Sequence, residues 1–412
     1  MAKDNKSEVV PKLRFPAFRG ADGWDCIPGD ELFDSINNRD AAAGLPILAI
    51  TQEHGAIPRD LIDYHVSVTE KSIESYKVVE QGDFIISLRS FQGGIEYSNY
   101  HGICSPAYVI LRRRDDGSDE YFKFLFKSQR FIQQLTRNIE GLRDGKMISY
   151  KQFSKQLIPT PIPAEQQKIV DCLTSLDELI DAQGRKVAAL KAHKQGLMQQ
   201  LFPRGGETRP YLRFPEFRGA PAWTLLKIGD VLKEISRPIE MDGDEEYSLV
   251  TVKRRYGGVV SRERLKGRAI KVKSQFIVKA GDFLISKRQI VHNACGIVPP
   301  ELDGSIVSNE YSVLGPKNGC DIEFFSYLSQ QAAVSMSFLH SSVGIVIEKM
   351  LFKLNSWLKY EFLFPSVEEQ RKIASFLKSV EYQVAAEAEK LDALKSHKKG
   401  LVQQLFPSPE AD

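Results

Sequence analysis

The sequence has little that would place it in a membrane or in an oxidising compartment. No apolar run in its 412 residues approaches the roughly 18 residues that a membrane-spanning helix needs, and the polar opening MAKDNKSEVVPK has no apolar signal core. The five cysteines are scattered and never have CxxC spacing: Cys26, Cys104, Cys172, Cys295 and Cys320. Such thiols are typical of a reducing compartment, so we expect a cytoplasmic protein with no membrane partner and no disulfide framework.

The sequence also lacks the short motifs that bind cofactors or metals. Residues 141–146 fall one residue short of a phosphate-binding loop, and methionine follows where serine or threonine is needed. The seven histidines include no HExxH pair, and the prolines at 299–300 lack the flanking residues of an amino-methyltransferase motif. His193 and His397 are interpreted as exposed helix or docking residues. We therefore expect no catalytic residue, no metal site and no cofactor bound by this chain.

What the sequence does contain is a repeat with a period of about 200 residues, far longer than that of a solenoid. The matched segments are PKLRFPAFRG (11–20) with PYLRFPEFRG (210–219), QGDFIISLRS (81–90) with AGDFLISKRQ (280–289), and IPTPIPAEQQKI (158–169) with FLFPSVEEQRKI (362–373). ALKAHKQGLMQQLFP (189–203) returns as ALKSHKKGLVQQLFP (393–407), identical at twelve of fifteen positions. Residues 37–80 and 236–279 share little. Two similar modules with different surfaces suit the recognition of two different targets.

The order of these segments predicts two globular domains, each followed by a long helix. GDFIIS and GDFLIS are short strand-like runs after a Gly-Asp turn, and residues 120–135 and 322–339 have the apolar spacing of helices. The expected fold class is α+β, with two globular domains in tandem repeat and two long antiparallel coiled-coil helices. The predicted ranges are 12–158 and 211–361 for the domains, and 159–204 and 362–407 for the helices.

Both long helices carry a heptad seam over about four to five heptads. The predicted pairing residues are Leu173, Leu176, Ile180, Val187, Leu190 and Leu197 in the first helix, and Leu377, Val380, Val384, Leu391, Leu394 and Leu401 in the second. Polar residues interrupt the seam at matched places: Gln183 and Lys194, then Glu387 and Lys398. A helix packed only on its own domain would also have an apolar stripe, but the length and the shared seam favour pairing of the two helices. Their remaining faces would then dock other subunits.

These motifs resemble those of the specificity (S) subunit of type I restriction–modification enzymes. The resemblance rests on LRFPxFRG at the head of each half, GDFxIS, P-x(3)-EQ-x-KI at the start of each long helix and LKxHKxGLxQQLFP at its end, and it covers nearly the whole chain. It implies that each globular domain is a target recognition domain that reads one half of a split site in double-stranded DNA. It also implies that the helices hold the two domains apart. We hypothesise that helix length sets the gap between the half-sites.

The resemblance implies partner subunits as well. Two modification subunits would bind S-adenosylmethionine and methylate adenine, and restriction subunits would cleave DNA using ATP and magnesium. This chain would direct both activities and have no catalytic activity of its own. The rival interpretation from another class is a coiled-coil protein-interaction scaffold without DNA specificity, and a weaker rival is an enzyme with an unrecognised site.

Candidate DNA contacts are taken from local clusters, because a net charge of +3 permits a nucleic-acid partner without requiring one. Lys and Arg bind phosphates, whereas Arg, Asn, Gln and aromatic side chains contact bases. The candidates in the first domain are Arg39, Gln52, His54, Tyr64, Arg89, Gln92, Tyr97, Arg143, Lys146 and Tyr150. The candidates in the second domain are Lys253, Arg254, Arg255, Tyr256, Lys287, Arg288, Asn293, Ser342 and Lys349.

Some of these candidates occupy matched positions in the repeat. Arg89 matches Arg288, and Lys146 matches Lys349; equivalent cations are expected to bind phosphates, which are the same at both half-sites. Residues that differ, such as Gln92 and Asn293, are better candidates for reading bases. For residues 112–114 and 262–273, a solvated surface and phosphate contact remain equally open interpretations, whereas residues 253–256 favour DNA.

Overall fold

The three-dimensional structure is a computed structural model that describes residues 8–40, 44–62, 73–115, 118–137 and 148–407. Its contacts divide the chain into two units, of which the first comprises Met1–Gly184 and Glu389–Asp412 and the second Arg185–Ala388. Each unit therefore contains one globular domain and a part of each long helix. Within the described ranges, no helix is both long and apolar enough to cross a membrane.

The first globular domain is built from short strands and short helices. Its strands are β1 (Glu8–Val9), β2 (Trp24–Pro28), β3 (Phe33–Ile36), β4 (Leu48–Thr51), β5 (Gly55–Pro58), β6 (Lys77–Val79), β7 (Phe84–Ile86), β8 (Glu96–Tyr97), β9 (Gly102–Cys104), β10 (Val109–Arg113) and β11 (Leu157–Thr160). Its helices are α1 (Gly29–Leu32), α2 (Ser90–Gly93), α3 (Asp119–Leu125), α4 (Gln129–Arg137) and α5 (Tyr150–Phe153), and the long α6 (Pro163–Leu201) follows. The sheets have the strand orders β1-β2-β11, β3-β10-β7-β8, β4-β5 and β6-β9.

The second globular domain repeats this plan with a larger additional sheet. Its strands are β12 (Thr224–Lys227), β13 (Leu232–Glu234), β14 (Pro238–Ile239), β15 (Glu246–Val252), β16 (Val259–Lys266), β17 (Gln275–Ile277), β18 (Phe283–Ser286), β19 (Cys295–Ile297), β20 (Ile306–Ser308), β21 (Tyr311–Pro316), β22 (Ser342–Val343), β23 (Leu351–Phe352) and β24 (Glu361–Phe364). Its helices are α7 (Ile228–Val231), α8 (Ile322–Leu328), α9 (Ala332–His340) and α10 (Leu354–Trp357), and the long α11 (Val367–Leu405) follows. The sheets have the orders β12-β24, β13-β21-β18-β19, β14-β17-β20-β15-β16 and β22-β23.

The four-stranded sheet is common to the two domains, down to its register. The order β3-β10-β7-β8 corresponds to β13-β21-β18-β19, and the antiparallel register pairs Phe84 with Leu111 in one and Phe283 with Leu314 in the other. All four side chains are fully buried, and burial of a sheet face specifies the register of its strands. The α+β fold class is confirmed.

The predicted helix over residues 120–135 is two helices in the structure, and so is its counterpart in the second domain. α3 and α4 are separated near Ser128, whose hydroxyl oxygen accepts a hydrogen bond from the backbone N–H of Phe131 at 3.3 Å. A serine that satisfies the first N–H groups of a new helix favours a restart over continuation. Apolar spacing alone does not reveal such a restart.

The repeated motifs LRFP and EQ-x-KI meet in a buried ion pair in each unit. Arg14 donates from Nε and Nη2 to the carboxylate of Glu165 at 2.8 and 2.7 Å, and Arg213 donates in the same way to Glu369 at 2.8 and 2.6 Å. Both arginines also donate to two backbone carbonyls of the chain that follows them. Each motif therefore anchors the first turn of a long helix to the head of its globular domain.

In the second unit the two long helices pair in antiparallel directions. Lys186 of α6 donates to Glu387 of α11 at 2.5 Å, and Lys194 donates to Glu381 at 2.5 Å. The partner number falls as the α6 number rises, which is the signature of antiparallel helices. The end of α6 enters the domain core, where the ring of Phe202 stacks on Phe324 with centroids 5.5 Å apart.

The first unit contains the equivalent arrangement. Lys398 of α11 donates to Asp177 of α6 and lies over the ring of Phe124 at 5.3 Å. Phe406, just beyond the end of α11, contacts the ring of Tyr121 with centroids 5.6 Å apart. Within each unit the lysine that interrupts a seam is thus paired with a carboxylate of the other helix. Such a partner permits a polar residue in a seam and restricts the register.

None of the predicted seam residues is fully exposed. Five are buried: Leu173, Val187, Leu197, Leu377 and Val380. The others are half-buried: Leu176, Ile180, Leu190, Val384, Leu391, Leu394 and Leu401. The prediction of two long antiparallel coiled-coil helices is confirmed.

Candidate nucleic-acid interface

In the second domain, three separate segments meet beyond the end of β18. The backbone N–H of Arg255 donates to the carbonyl of His292 at 2.8 Å, and that of Phe352 donates to the carbonyl of Lys287 at 2.9 Å. We call this region the basic loop cluster, and it consists of residues 253–258, 287–293 and 342–352. All nine of the second domain's candidate DNA contacts lie in it because the fold brings three loops to one place.

Two carboxylates pair with the cations of this region. Glu348 accepts a hydrogen bond from Arg254 at 3.0 Å and lies 3.1 Å from Nε2 of His292. Glu310, the residue before β21, accepts from Nε of Arg288 at 2.5 Å, and this hydrogen bond raises the pKa of Arg288. Both pairs are exposed, so solvent screens them and each contributes little to stability. Phosphate oxygens could replace the carboxylates at little cost.

The other cations of the cluster also fit the binding of phosphate groups. Lys253, Arg255 and Lys349 are exposed, whereas Lys287 is half-buried and donates to the carbonyl of Asn309 at 2.9 Å. Exposed Lys and Arg on adjacent loops form the pattern by which proteins bind a phosphate backbone. Contact with DNA by these residues stays a prediction.

Three candidates of the second domain have internal partners. The hydroxyl of Tyr256 donates to the carbonyl of Ser329 at 3.1 Å, and burial raises the pKa of Tyr256 to about 12. Ser342 is buried and donates to the carbonyl of Phe338 at 2.8 Å. Asn293 has a left-handed backbone with φ of 59° and accepts from the Ser335 hydroxyl at 2.8 Å. These polar groups shape the loops, and a direct role of these residues in DNA contact stays a prediction.

The first domain also brings candidates together beyond its GDF strand. The side-chain amide of Gln52 donates to the carbonyl of Arg89 at 3.3 Å, and Gln92 lies in the adjacent α2. Gln52, His54, Arg89 and Gln92 are all exposed. Arg39 is exposed but belongs to a different neighbourhood: burial lowers the pKa of Lys77, and the charge of Arg39 lowers it further.

The remaining candidates of the first domain fall into two groups. Tyr97 packs on the ring of Phe84 with centroids 5.2 Å apart, and the Tyr150 hydroxyl donates to the carbonyl of Phe33 at 2.8 Å. Each of these tyrosines is part of the domain's own structure. Three further candidates, Tyr64, Arg143 and Lys146, lie outside the described residues.

Sequence reasoning missed the carboxylates that hold the cations. Residues 112–114 are open to two interpretations from sequence, and each of these arginines has a carboxylate partner: Asp83 for Arg112 at 2.7 Å, Asp34 for Arg114 at 2.7 Å and Asp115 for Arg113. Asp83 belongs to the repeated GDF motif, so the motif itself carried a signal for a structural ion pair. Within the described part of the chain, His, Cys, Asp and Glu form no group of three or more that could hold a metal ion.

Comparison with known proteins identifies relatives of both halves of the chain. The family model described as Type I restriction modification DNA specificity domain matches residues 37–192 and 222–396. The chain is similar to two specificity subunits of Methanocaldococcus jannaschii, those of the type I restriction enzymes MjaVIII (25% identical over 170 residues) and MjaIX (23% over 190 residues). These alignments cover 40% and 43% of this chain, and 38% and 44% of the relatives. The chain thus spans less than half the length of the curated relatives it matches.

Solved structures share the fold. One is a chain from a structure of complex assembly and conformational transition in the type I R-M system, with a TM-score of 0.57, 19% identity, and coverage of 94% of this chain and 98% of that one. Another is the S subunit of a type I restriction-modification system from M. genitalium, with a TM-score of 0.51, 14% identity, and coverage of 97% and 99%. At these identities the likeness shows the architecture alone.

Proposed function

Because the chain belongs to the family of type I restriction modification DNA specificity domains, we propose that it is the DNA-recognition subunit of a type I restriction–modification system. Each globular domain reads one half of a bipartite site in double-stranded DNA. The observation that carries this proposal is the contrast within the chain: the same buried ion pair and the same sheet register occur in both units, whereas the exposed loops beyond the GDF strands differ. A shared frame with different exposed loops suits the reading of two different half-sites.

Binding to DNA begins with phosphates and is refined at bases. Exposed cations such as Lys349 and Arg255 neutralise phosphates and set the register of the duplex. Gln52 and Gln92 in the first domain carry amides that match the donor and acceptor pattern of adenine. The arginines held by Glu310 and Glu348 exchange these carboxylates for phosphate or base acceptors when the duplex arrives.

The chain works with partner subunits in this proposal. Two modification subunits bind S-adenosylmethionine and methylate adenine at the site that this chain selects, and restriction subunits cleave DNA with ATP and magnesium. The chain contributes selection and assembly, with no reaction of its own. The faces of α6 and α11 that remain exposed are the docking surfaces for these subunits, and the complex acts in the cytoplasm.

The decisive experiment maps methylated adenines in cells that contain the modification subunits with and without this chain. The proposal requires a bipartite motif that is methylated only when the chain is present. Exchange of residues 12–158 for those of another family member should change one half of that motif. Methylation that is indifferent to the chain, together with no DNA binding by the full complex, would instead fit a protein-interaction scaffold.

A point mutant tests the phosphate contacts. Lys349→Ala should weaken binding to all duplexes alike and reduce the slope of log affinity against log salt by about one. Lys359→Ala is the matched control, because this exposed lysine lies in the same domain but outside the basic loop cluster and outside the long helices. A change in the preferred sequence would make Lys349 a base-reading residue.

A further inference from the structure

The tip of the β22–β23 hairpin exposes an unusual run of aliphatic side chains. Val343, Ile345, Val346 and Ile347 have 63%, 103%, 53% and 55% of their surfaces exposed. Single exposed apolar residues are ordinary, but a contiguous group marks a surface that something covers. Burial within the second unit does not account for these four residues.

The base of the hairpin fixes the position of this tip. Ser342 pairs with Phe352 across the two strands, and Phe352 is buried beside the rings of Phe338 and Trp357, with centroids 6.0 and 5.8 Å away. A side chain at Gly344 would place its Cβ 2.9 Å from Cα of Met350, so the turn needs glycine there. The core therefore holds a short arm, and its aliphatic end is presented to solvent.

Charge around the tip indicates what covers it. The tip belongs to the basic loop cluster, and Arg254 contacts the hairpin directly through Glu348. Lys349 is exposed two residues after Ile347. Lys287 lies on the adjacent loop, where its backbone carbonyl accepts a hydrogen bond from the N–H of Phe352. An apolar group surrounded by cations is complementary to a polyanion with an apolar interior, and the stacked base pairs of DNA are such an interior.

Proteins that kink DNA use this combination, with cations on the phosphates and an aliphatic wedge between base steps. We propose that the tip centred on Ile345 is a wedge that enters the base stack at the half-site bound by the second unit. The proposal rests on the DNA-recognition function argued above. A locally unstacked duplex would lower the cost of extruding a base, which enzymes that modify a base within a duplex must do.

The first half of the repeat does not share the aliphatic sequence of this tip. The segment at the same place in the first half, residues 138–147, reads NIEGLRDGKM. In it Leu142 matches Ile345, whereas Glu140, Arg143 and Asp144 stand where the tip has Val343, Val346 and Ile347. The two half-sites should therefore differ, and the half-site of the first domain serves as an internal control.

The test uses 2-aminopurine, a base analogue whose fluorescence rises when it is unstacked. Duplexes selected from a random-sequence library by the full-length chain are prepared with 2-aminopurine at each adenine position in turn. We expect a several-fold rise in fluorescence at one or two neighbouring positions of one half-site. Ile345→Ser should abolish the rise, and Ile345→Leu should retain it. Leu225→Ser is the matched control, since Leu225 is also an exposed aliphatic residue of the same unit, on β12.

The outcomes separate this proposal from the proposed function. Tight, salt-dependent binding without any fluorescence rise would overturn the wedge and leave the recognition function standing. The wedge is also overturned if Ile345→Ser keeps the rise, or if this variant only releases a co-purifying protein subunit, which would make the tip a protein-docking surface. Failure of the chain to bind any duplex of the library would overturn both proposals.

Discussion

Loss of Glu369 should destabilise the second unit and leave the first intact. The carboxylate accepts two hydrogen bonds from Arg213 at 2.8 and 2.6 Å and one from Nε1 of Trp223 at 3.3 Å. The side chains of Arg213 and Glu369 are only 8% and 1% exposed. Glu369→Ala leaves the guanidinium buried without its counter-charge, and removal of one partner from such a pair costs about 3–5 kcal/mol. At about 1.4 kcal/mol per factor of ten, the second unit should open about 10² to 4 × 10³ times more often.

Amide hydrogen exchange, measured for individual peptides, reports the opening of each unit separately. Amides of β18 should exchange faster in Glu369→Ala by that factor, whereas amides of β7 should keep their rates. The control is Glu216→Ala, which removes the partner of Lys372 in an ion pair with side chains 52% and 45% exposed; such a pair is worth less than about 1 kcal/mol. The reasoning is refuted if the two variants have equal effects, or if Arg213→Met combined with Glu369→Leu is as unstable as Glu369→Ala alone.

The remaining predictions concern charge and thiol chemistry. Glu348→Gln should tighten binding to all duplexes by about two- to fivefold at low salt, because a carboxylate no longer competes with phosphate for Arg254; fluorescence anisotropy measures this, and weaker binding would make Glu348 a base contact itself. In thiol titration at about pH 8, Cys104, Cys295 and Cys320 should react slowly, because burial raises the pKa of each to about 12 and little thiolate exists. The half-exposed Cys172 on α6 should react first, so Cys172→Ser should remove the fast phase; an unchanged fast phase would show that another thiol is accessible.

Most of the fold could be predicted from two features of the sequence, the periodicity of its apolar residues and its internal repeat. A heptad seam is a local pattern, so its spacing alone predicts which face of α6 and α11 is buried. The internal repeat also allows the two halves of one chain to be compared with each other. Segments that match between the halves, such as GDF and LRFP, are expected to have the same structural role in both domains. Seam interruptions at Lys194 and Lys398 are recognisable as matched, but their partners Glu381 and Asp177 lie on the other helix and only the antiparallel register reveals them.

The candidate site is harder to predict because loops from distant parts of the chain build it. Residues 253–258 and 342–352 are neighbours through contacts that no local pattern encodes. Side-chain type alone does not distinguish Lys349, which is exposed, from Lys287, which is half-buried. The aliphatic tip has no signal in the sequence, because residues 343–347 resemble an ordinary buried strand until their exposure is known.

The aspartate of the GDF motif forms an ion pair with an arginine in both halves of the chain, but the two arginines come from different segments. Asp83 and Asp282 hold equivalent places in the GDF motif, and each accepts a bidentate pair of hydrogen bonds from an arginine. The arginines come from different places: Arg112 lies on β10, whereas Arg237 lies between β13 and β14.

Neither arginine has a counterpart in the other half of the chain. In the repeat, Arg112 corresponds to Gly315, where a side chain would collide with Ile235, and Arg237 corresponds to Asn38. A nearly buried carboxylate needs a cation, so the second half supplies one from its divergent segment 236–279. The variable segments therefore have a structural role besides recognition. Any exchange of 236–279 that omits Arg237 leaves the carboxylate of Asp282 buried without its counter-charge. Functional exchanges should therefore replace whole domains.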